Sequence, residues 1–276
     1  MADCSVNFPA VALIIRLQEF MKRHKNLTLR KSENTSLFRA MVFSKTNVME
    51  FFDNYERALK SWKFTADRVY NIVETGKSIV VQPPNIVAYT GMKQVSVRGT
   101  MTTVCMIINS VGNTVPPVFI FPRARLHDSL MLDVPPGGMG LVNSPHSSWI
   151  TGPLFLKVLE CVKKHTRSSK GDRIILLMDN HESHCTLDSI LYARENGITL
   201  VTFPPNCSHR LQPLDVGLMV PFKGKLHVAQ HDWMTANPGK VITIHDLASL
   251  TNATYQASFT AKNITAGLLS LVYGHS

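Results

Sequence analysis

Five apolar residues in a row, Ile174-Ile175-Leu176-Leu177-Met178, constrain this chain more than any other stretch. An unbroken run of that length, ended by Asp179, reads as a strand buried on both faces, as strands of parallel sheets are. Thr186 to Glu195 predicts a helix closed by Gly197, and Ile198 to Phe203 predicts a second buried strand. The unit is βαβ, which calls for a sheet covered by helices. Ligands of open α/β sheets collect at the carboxyl ends of strands, so Asp179 is a candidate site residue. Behind the second strand comes a loop and then Leu211-Gln212-Pro213-Leu214-Asp215, which delivers a second carboxylate after the same unit.

The flanks supply the rest of a sheet. Arg68 to Val73 reads as its first strand. Thr100 to Asn109 and Val115 to Phe121 predict a hairpin about Val111-Gly112-Asn113, in which Pro116-Pro117 favours an edge position for the second strand. Residues 122–150, rich in Pro, Gly and Ser, read as a long loop. Thr151 and Pro153 start a helix with an apolar face of Leu154, Phe155, Val158, Leu159 and Val162, and Lys163-Lys164-His165 end it. After Asp215 a helical stretch is interrupted at Pro221, and Gly239 to Ala261 holds a small terminal helix. Residues 13–66 read as short helices. The last of them, Lys45 to Lys60, has Val48, Phe51, Phe52, Tyr55 and Leu59 on one side.

Composition narrows the setting. At 276 residues with 45% hydrophobic content, one large or two modest domains can each bury a core. No run reaches the roughly eighteen apolar residues of a membrane span, so no membrane partner is expected. The odd set of Cys4, Cys105, Cys161, Cys185 and Cys207 has no paired spacing, which points to reduced thiols in cytosol or nucleus. Net charge is +10, and residues 1–66 carry 11 Lys/Arg against 6 Asp/Glu. Lys22-Arg23-His24-Lys25 and Arg30-Lys31 have no acid between them. Such a run is either a solvated helix face or a surface for nucleic-acid phosphates.

The strings Met178-Asp179-Asn180-His181-Glu182-Ser183-His184 and Pro204-Pro205-Asn206-Cys207-Ser208-His209-Arg210-Leu211-Gln212-Pro213-Leu214-Asp215-Val216-Gly217 resemble the DDE-type transposases of the pogo, Tigger and jerky group, within the mariner superfamily. The resemblance runs from about Phe20 to Gly267. It implies an α/β, ribonuclease-H-like mixed sheet flanked by helices over residues 67–276, with DNA endonuclease ancestry. It also implies that residues 1–66, through Phe20 to Ala40, are part of a centromere-protein-B-type helix-turn-helix, a small all-α remnant. There Lys22, Arg23, Lys25, Arg30, Lys31 and Arg39 would meet DNA. A further upstream module of the family has no match, so the chain is expected to be shortened at its start; a small deletion is expected between Gln94 and Thr100.

In that family three acids surround Mg²⁺ or Mn²⁺. Asp179 matches the second and Asp215 the third as catalytic and metal-binding residues. The first would stand in Tyr70-Asn71-Ile72-Val73-Glu74-Thr75-Gly76, at Val73. Two-metal phosphoryl transfer places its ions about 3.5–4 Å apart to steady the attacking and leaving oxygens. Hard cations want oxygen ligands, and valine has none. Glu74 is the substitute in sequence, but neighbours on a strand point to opposite faces, so it is expected to look away. Zinc is not expected, because His181, His184, Cys185, Cys207 and His209 lack paired-ligand spacing. The expected protein is nuclear, binds DNA and is catalytically impaired; the alternative is an active endonuclease using Glu74.

Overall fold

A computed structural model describes residues 23, 45–78, 101–144, 147–205, 207 and 211–273. The elements below belong to one compact unit, Met41–Ser276; of the preceding unit only Arg23, an exposed helical residue, is described. Lys22, Lys25, Arg30, Lys31 and Arg39 lie outside the described residues, as does the segment between Gln94 and Thr100.

Six strands form one mixed sheet in the order β4-β3-β2-β1-β5-β6. They are β1 (Val69–Ser78), β2 (Met101–Asn109), β3 (Thr114–Phe121), β4 (Met139–Val142), β5 (Ile174–Met178) and β6 (Ile198–Thr202). β1 runs antiparallel to β2 from Tyr70↔Asn109 and parallel to β5 from Val69↔Ile175. Both faces are covered, which is why β2 and β5 are buried almost throughout. Helices α1 (Lys45–Trp62), α2 (Gly152–Thr166) and α3 (Leu187–Glu195) flank the sheet, and α4 (Pro213–Gly217), α5 (Met219–Ala236), α6 (Ile244–Ser258) and α7 (Ala261–Tyr273) follow β6.

The period of two along β1 sorts its side chains. Tyr70 and Ile72 join Phe155, Val158, Leu159 and Val162 of α2 in one core cluster. Val73 joins Leu214, Leu218, Met219 and Phe222 in another. Each fully buried ring or aliphatic chain contributes roughly 1.5–3 kcal/mol. The βαβ unit forms as the sequence predicts. Thr186 caps α3 by accepting from Ser189 N, and Gly197 turns the chain at φ 70°. A Cβ there would lie 1.9 Å from Ser169 O, so only glycine fits.

Four details differ from the sequence reading. The 122–150 loop contains β4, parallel to β3 at Val118↔Met139, so Asp179 ends the fifth strand and not the fourth. β3 is therefore not an edge strand. Its prolines sit in a bulge, two residues opposite Met106, between the pairs Cys105↔Val118 and Ile107↔Val115, and β4 begins to pair only at Val118. The break after Asp215 falls at Leu218, and Pro221 sits in the first turn of α5, where its missing N–H costs nothing. Finally, α1 packs Phe51 on Phe203, Ile175 and Leu177, so this helix is part of the sheet's own core.

Candidate functional site

At the carboxyl end of β5 the chain leaves the sheet at Asp179 and makes a single turn, Glu182–His184. His181 starts that turn, its ring nitrogen accepting from Ser183 N and sharing a 2.7 Å hydrogen bond with Ser183 Oγ. The turn drives the next imidazole, His184, back against the sheet. There it is 4% exposed and lies 4.4 Å, centroid to centroid, from the Phe155 ring.

His184 joins two carboxylates. Its Nδ1 donates to Asp179 Oδ1 at 2.7 Å and its Nε2 to Glu74 Oε1 at 2.6 Å. With both ring nitrogens donating, the imidazole is a cation. Burial, the largest single influence on its pKa, opposes that charge, yet Asp179 and Glu74 together outweigh it and hold the pKa up at about 9. For Asp179, burial works toward protonation, and the hydrogen bond and charge of His184 overcome it to leave the carboxyl below its usual range. Cys105, opposite Glu74 in the β1–β2 ladder, is inert: burial pushes its thiol well up and the Glu74 charge adds to this.

Glu74 thus departs from the sequence expectation in one respect. It does point to the face opposite Val73, as strand alternation requires. It does not look away from Asp179, because His184 reaches across from the end of β5 to meet it. In the sequence His184 stands out only among the residues that lack paired-ligand spacing for zinc. The signal that could have singled it out is its place in the turn that directly follows a strand paired with β1.

A second polar link joins the two motif strings. Asn71, buried in β1, donates from Nδ2 to Leu177 O at 3.1 Å and accepts at Oδ1 from Leu214 N at 3.2 Å. Beside it, Gln212 Nε2 donates to Ile72 O at 2.6 Å. One amide therefore holds the backbone two residues before Asp179 and one residue before Asp215. Asp215, half-buried, sits in the short α4.

The donor set does not fit a two-metal centre. Val73, 6% exposed among Leu214 and Leu218, presents only methyl groups and can ligate no cation. Asp179 already gives one oxygen to an imidazolium. Among the described residues no three His, Cys, Asp or Glu are grouped so as to hold a metal ion. Of the residues weighed for zinc, Cys207 is buried with Phe51 and Phe203, Cys185 lies near Asn180, and His209 falls outside the described residues. A cavity of about 500 Å³ between α2 and β4, lined by Leu126, Met131, Met139, Lys157, Glu160 and His165 among others, includes none of Glu74, Asp179 and Asp215.

Comparison with known proteins places this arrangement. Solved structures of similar fold include the Mos1 mariner paired end complex with Mn, at a TM-score of 0.50 and 12% identity, covering 95% of this chain and 69% of that one. The Mos1 strand transfer complex matches at 0.50 and 11%, covering 98% and 77%. The mixed sheet with flanking helices is the ribonuclease-H-like fold of such domains. A curated relative, the MFS-type transporter clz9 of Cochliobolus lunatus, is 31% identical over 171 residues, which are 59% of this chain and 18% of that protein. The chain thus spans less than a fifth of that relative's length. Among the described residues no helix is long and apolar enough to cross a membrane. The DDE superfamily endonuclease family matches residues 100–266, more than half of the chain and the stretch that carries Asp179, His184 and Asp215, and this protein belongs to it.

Proposed function

We propose that this protein is a transposase-derived nucleic-acid-binding protein of the pogo, Tigger and jerky group, acting on DNA in the nucleus, whose nuclease site is impaired. The reading is carried by Val73: the family resemblance puts the first acid at this position, and the valine there is buried among Leu214, Leu218 and Met219. Mg²⁺ or Mn²⁺, where bound, would supply charge for phosphoryl transfer, and here only Asp179 and Asp215 remain to hold such an ion, weakly. Loss of even ~4 kcal/mol of transition-state stabilisation slows a reaction about a thousandfold. The helix-turn-helix remnant extends only to Ala40 and not over all of residues 1–66, because Lys45–Trp62 packs its Phe51 into the sheet's own core, and Met41–Ser276 is the endonuclease-derived unit. The mariner complex with Mn among the fold neighbours supports divalent-metal ancestry.

A second reading, an active endonuclease with Glu74 as the first acid, is favoured by one contact: Glu74 lies a single imidazole away from Asp179. Plasmid nicking in Mn²⁺ separates the two. The expected outcome is no nicking by the wild type and tighter Mn²⁺ binding by Val73→Asp in calorimetry. Nicking by the wild type that disappears in Glu74→Gln refutes the impaired site.

A further inference from the structure

The amino ends of β1 and β5, opposite the end that carries Asp179, gather most of the chain's net charge. Residues 60–68 and 163–173 hold Lys60, Lys63, Arg68, Lys163, Lys164, Arg167, Lys170 and Arg173 against Asp67 and Asp172, a net of +6 out of the chain's +10. The fold brings these two segments together. Arg68 and Arg173 immediately precede β1 and β5, which pair from Val69↔Ile175. Arg68 donates to Thr166 O and Asp172 O, both at 3.0 Å, and so ties the end of α2 to the start of β1. Arg173 lies 3.8 Å over the Trp62 ring and donates to Lys170 O.

Two acids are already engaged: Glu56 with Lys60, and Asp172 with Arg68. Among the described residues no carboxylate pairs with Lys63, Lys163, Lys164, Arg167 or Lys170, and all five are exposed. Repulsion among them weakens the fold unless a polyanion neutralises it. This pole lies at the amino ends of the strands, and Asp179 at the carboxyl end of β5, a strand length of roughly 15 Å away.

We propose that this basic pole is a docking surface for the sugar–phosphate backbone of duplex DNA, indifferent to sequence and separate from the carboxyl end of β5 that carries Asp179. It rests on the nucleic-acid reading given above. Duplex is favoured over single strand because the pole bears one exposed aromatic ring, Trp62, with one face covered by Arg173, whereas single-strand grooves stack successive bases on several rings. It is favoured over an anionic membrane because five of its eight cations are borne by residues 163–173, which expose no apolar side chain to insert between lipids, and of large apolar side chains the other segment exposes only Trp62, already capped on one face by Arg173.

The test is fluorescence anisotropy of the full chain with labelled duplexes of two unrelated sequences over a salt series. The quadruple variant Lys163→Ala/Lys164→Ala/Arg167→Ala/Lys170→Ala is expected to lower the log–log salt slope by about 3–4, one step for each phosphate no longer neutralised, equally for both sequences. Lys163→Ala/Arg167→Ala should weaken binding well beyond Lys223→Ala/Lys240→Ala, which removes the same charge from α5 and the turn after it. Equal effects of these two pairs overturn the proposal, since net charge alone would then explain binding. So does a quadruple variant that binds as the wild type does, or wild-type affinity for phosphatidylserine vesicles that equals its affinity for duplex. If instead Lys22, Arg23, Arg30 and Lys31 to alanine abolishes binding and the pole variants do not, the pole falls while the nucleic-acid reading stands; no duplex binding by any form overturns both.

Discussion

Replacing Asn71 by alanine should loosen the candidate site more than its size suggests. The amide is 3% exposed and bridges two other segments, donating to Leu177 O at 3.1 Å and accepting from Leu214 N at 3.2 Å. Taking a partner from a buried carbonyl and from a buried N–H costs about 1–3 kcal/mol each, so about 2–6 kcal/mol together. At a urea slope of about 3 kcal/mol per molar, the unfolding midpoint falls by about 1–2 M. Circular dichroism reads the midpoint, and hydrogen exchange reads the place: the Leu214 amide should lose protection while β2 and β3 keep theirs. Asn71→Asp retains the acceptor for Leu214 N and loses the donor to Leu177 O, so the Leu214 amide should recover part of its protection. A stability for Asn71→Ala within about 0.5 kcal/mol of wild type, with Leu214 still protected, would refute the clamp.

Further expectations follow from the same contacts. His184 has a folded pKa of about 9 against an ordinary 6.5, so its ion pairs contribute fully below about pH 6.5 and are lost as pH rises through 9. In chelator, thermal stability should therefore decline across that window, by about 3 kcal/mol at most, and His184→Gln should flatten the decline. Asp179, depressed in the fold, has the opposite sign: its contribution is lost on acidification, which an acid-unfolding titration of Asp179→Asn would isolate. Val73→Asp puts a carboxyl among Leu214, Leu218 and Met219 and should cost about 2–4 kcal/mol in chelator, with part regained in Mn²⁺ if the ion binds there. Gly217→Ala would bring a Cβ within 2.3 Å of Gly267 Cα, prising α7 from α4, and should lower stability by about 1–3 kcal/mol in a denaturant melt.

What the sequence made legible was set by local pattern. The run Ile174–Met178, the Thr186 cap and Gly197 each act within a few residues, and α2 announces itself through the spacing of Phe155, Val158, Leu159 and Val162. β4 escaped because Met139-Gly140-Leu141-Val142 has no pattern of its own; its pairing with Val118–Phe121 creates it. Pro116 and Pro117 were read correctly as unable to donate, but a bulge satisfied that constraint where an edge was expected. At the site, alternation gave the facing of Val73 and Glu74 correctly. The contact of Glu74 with His184, 110 positions further on, depends on where the turn after β5 aims a ring, and no window of sequence contains both.

The pairing of β1 with β5 has a consequence for how the chain is made. Its residues Val69 and Ile175 are separated by about a hundred positions, whereas β1–β2–β3 and β5–β6 are each assembled from near neighbours. At ribosomal speeds of about 5–20 residues per second, β1 emerges roughly 5–20 s before the strand that will cover its second edge. During that interval Val69-Tyr70-Asn71-Ile72-Val73 presents an open, apolar edge that can pair with any other extended chain. The two halves of the sheet meet along one late seam, and Asn71, Glu74 and His184 are the residues that fasten it. Nascent chains paused before Ile174 should therefore be captured by a holdase, and chains released beyond Phe203 should not.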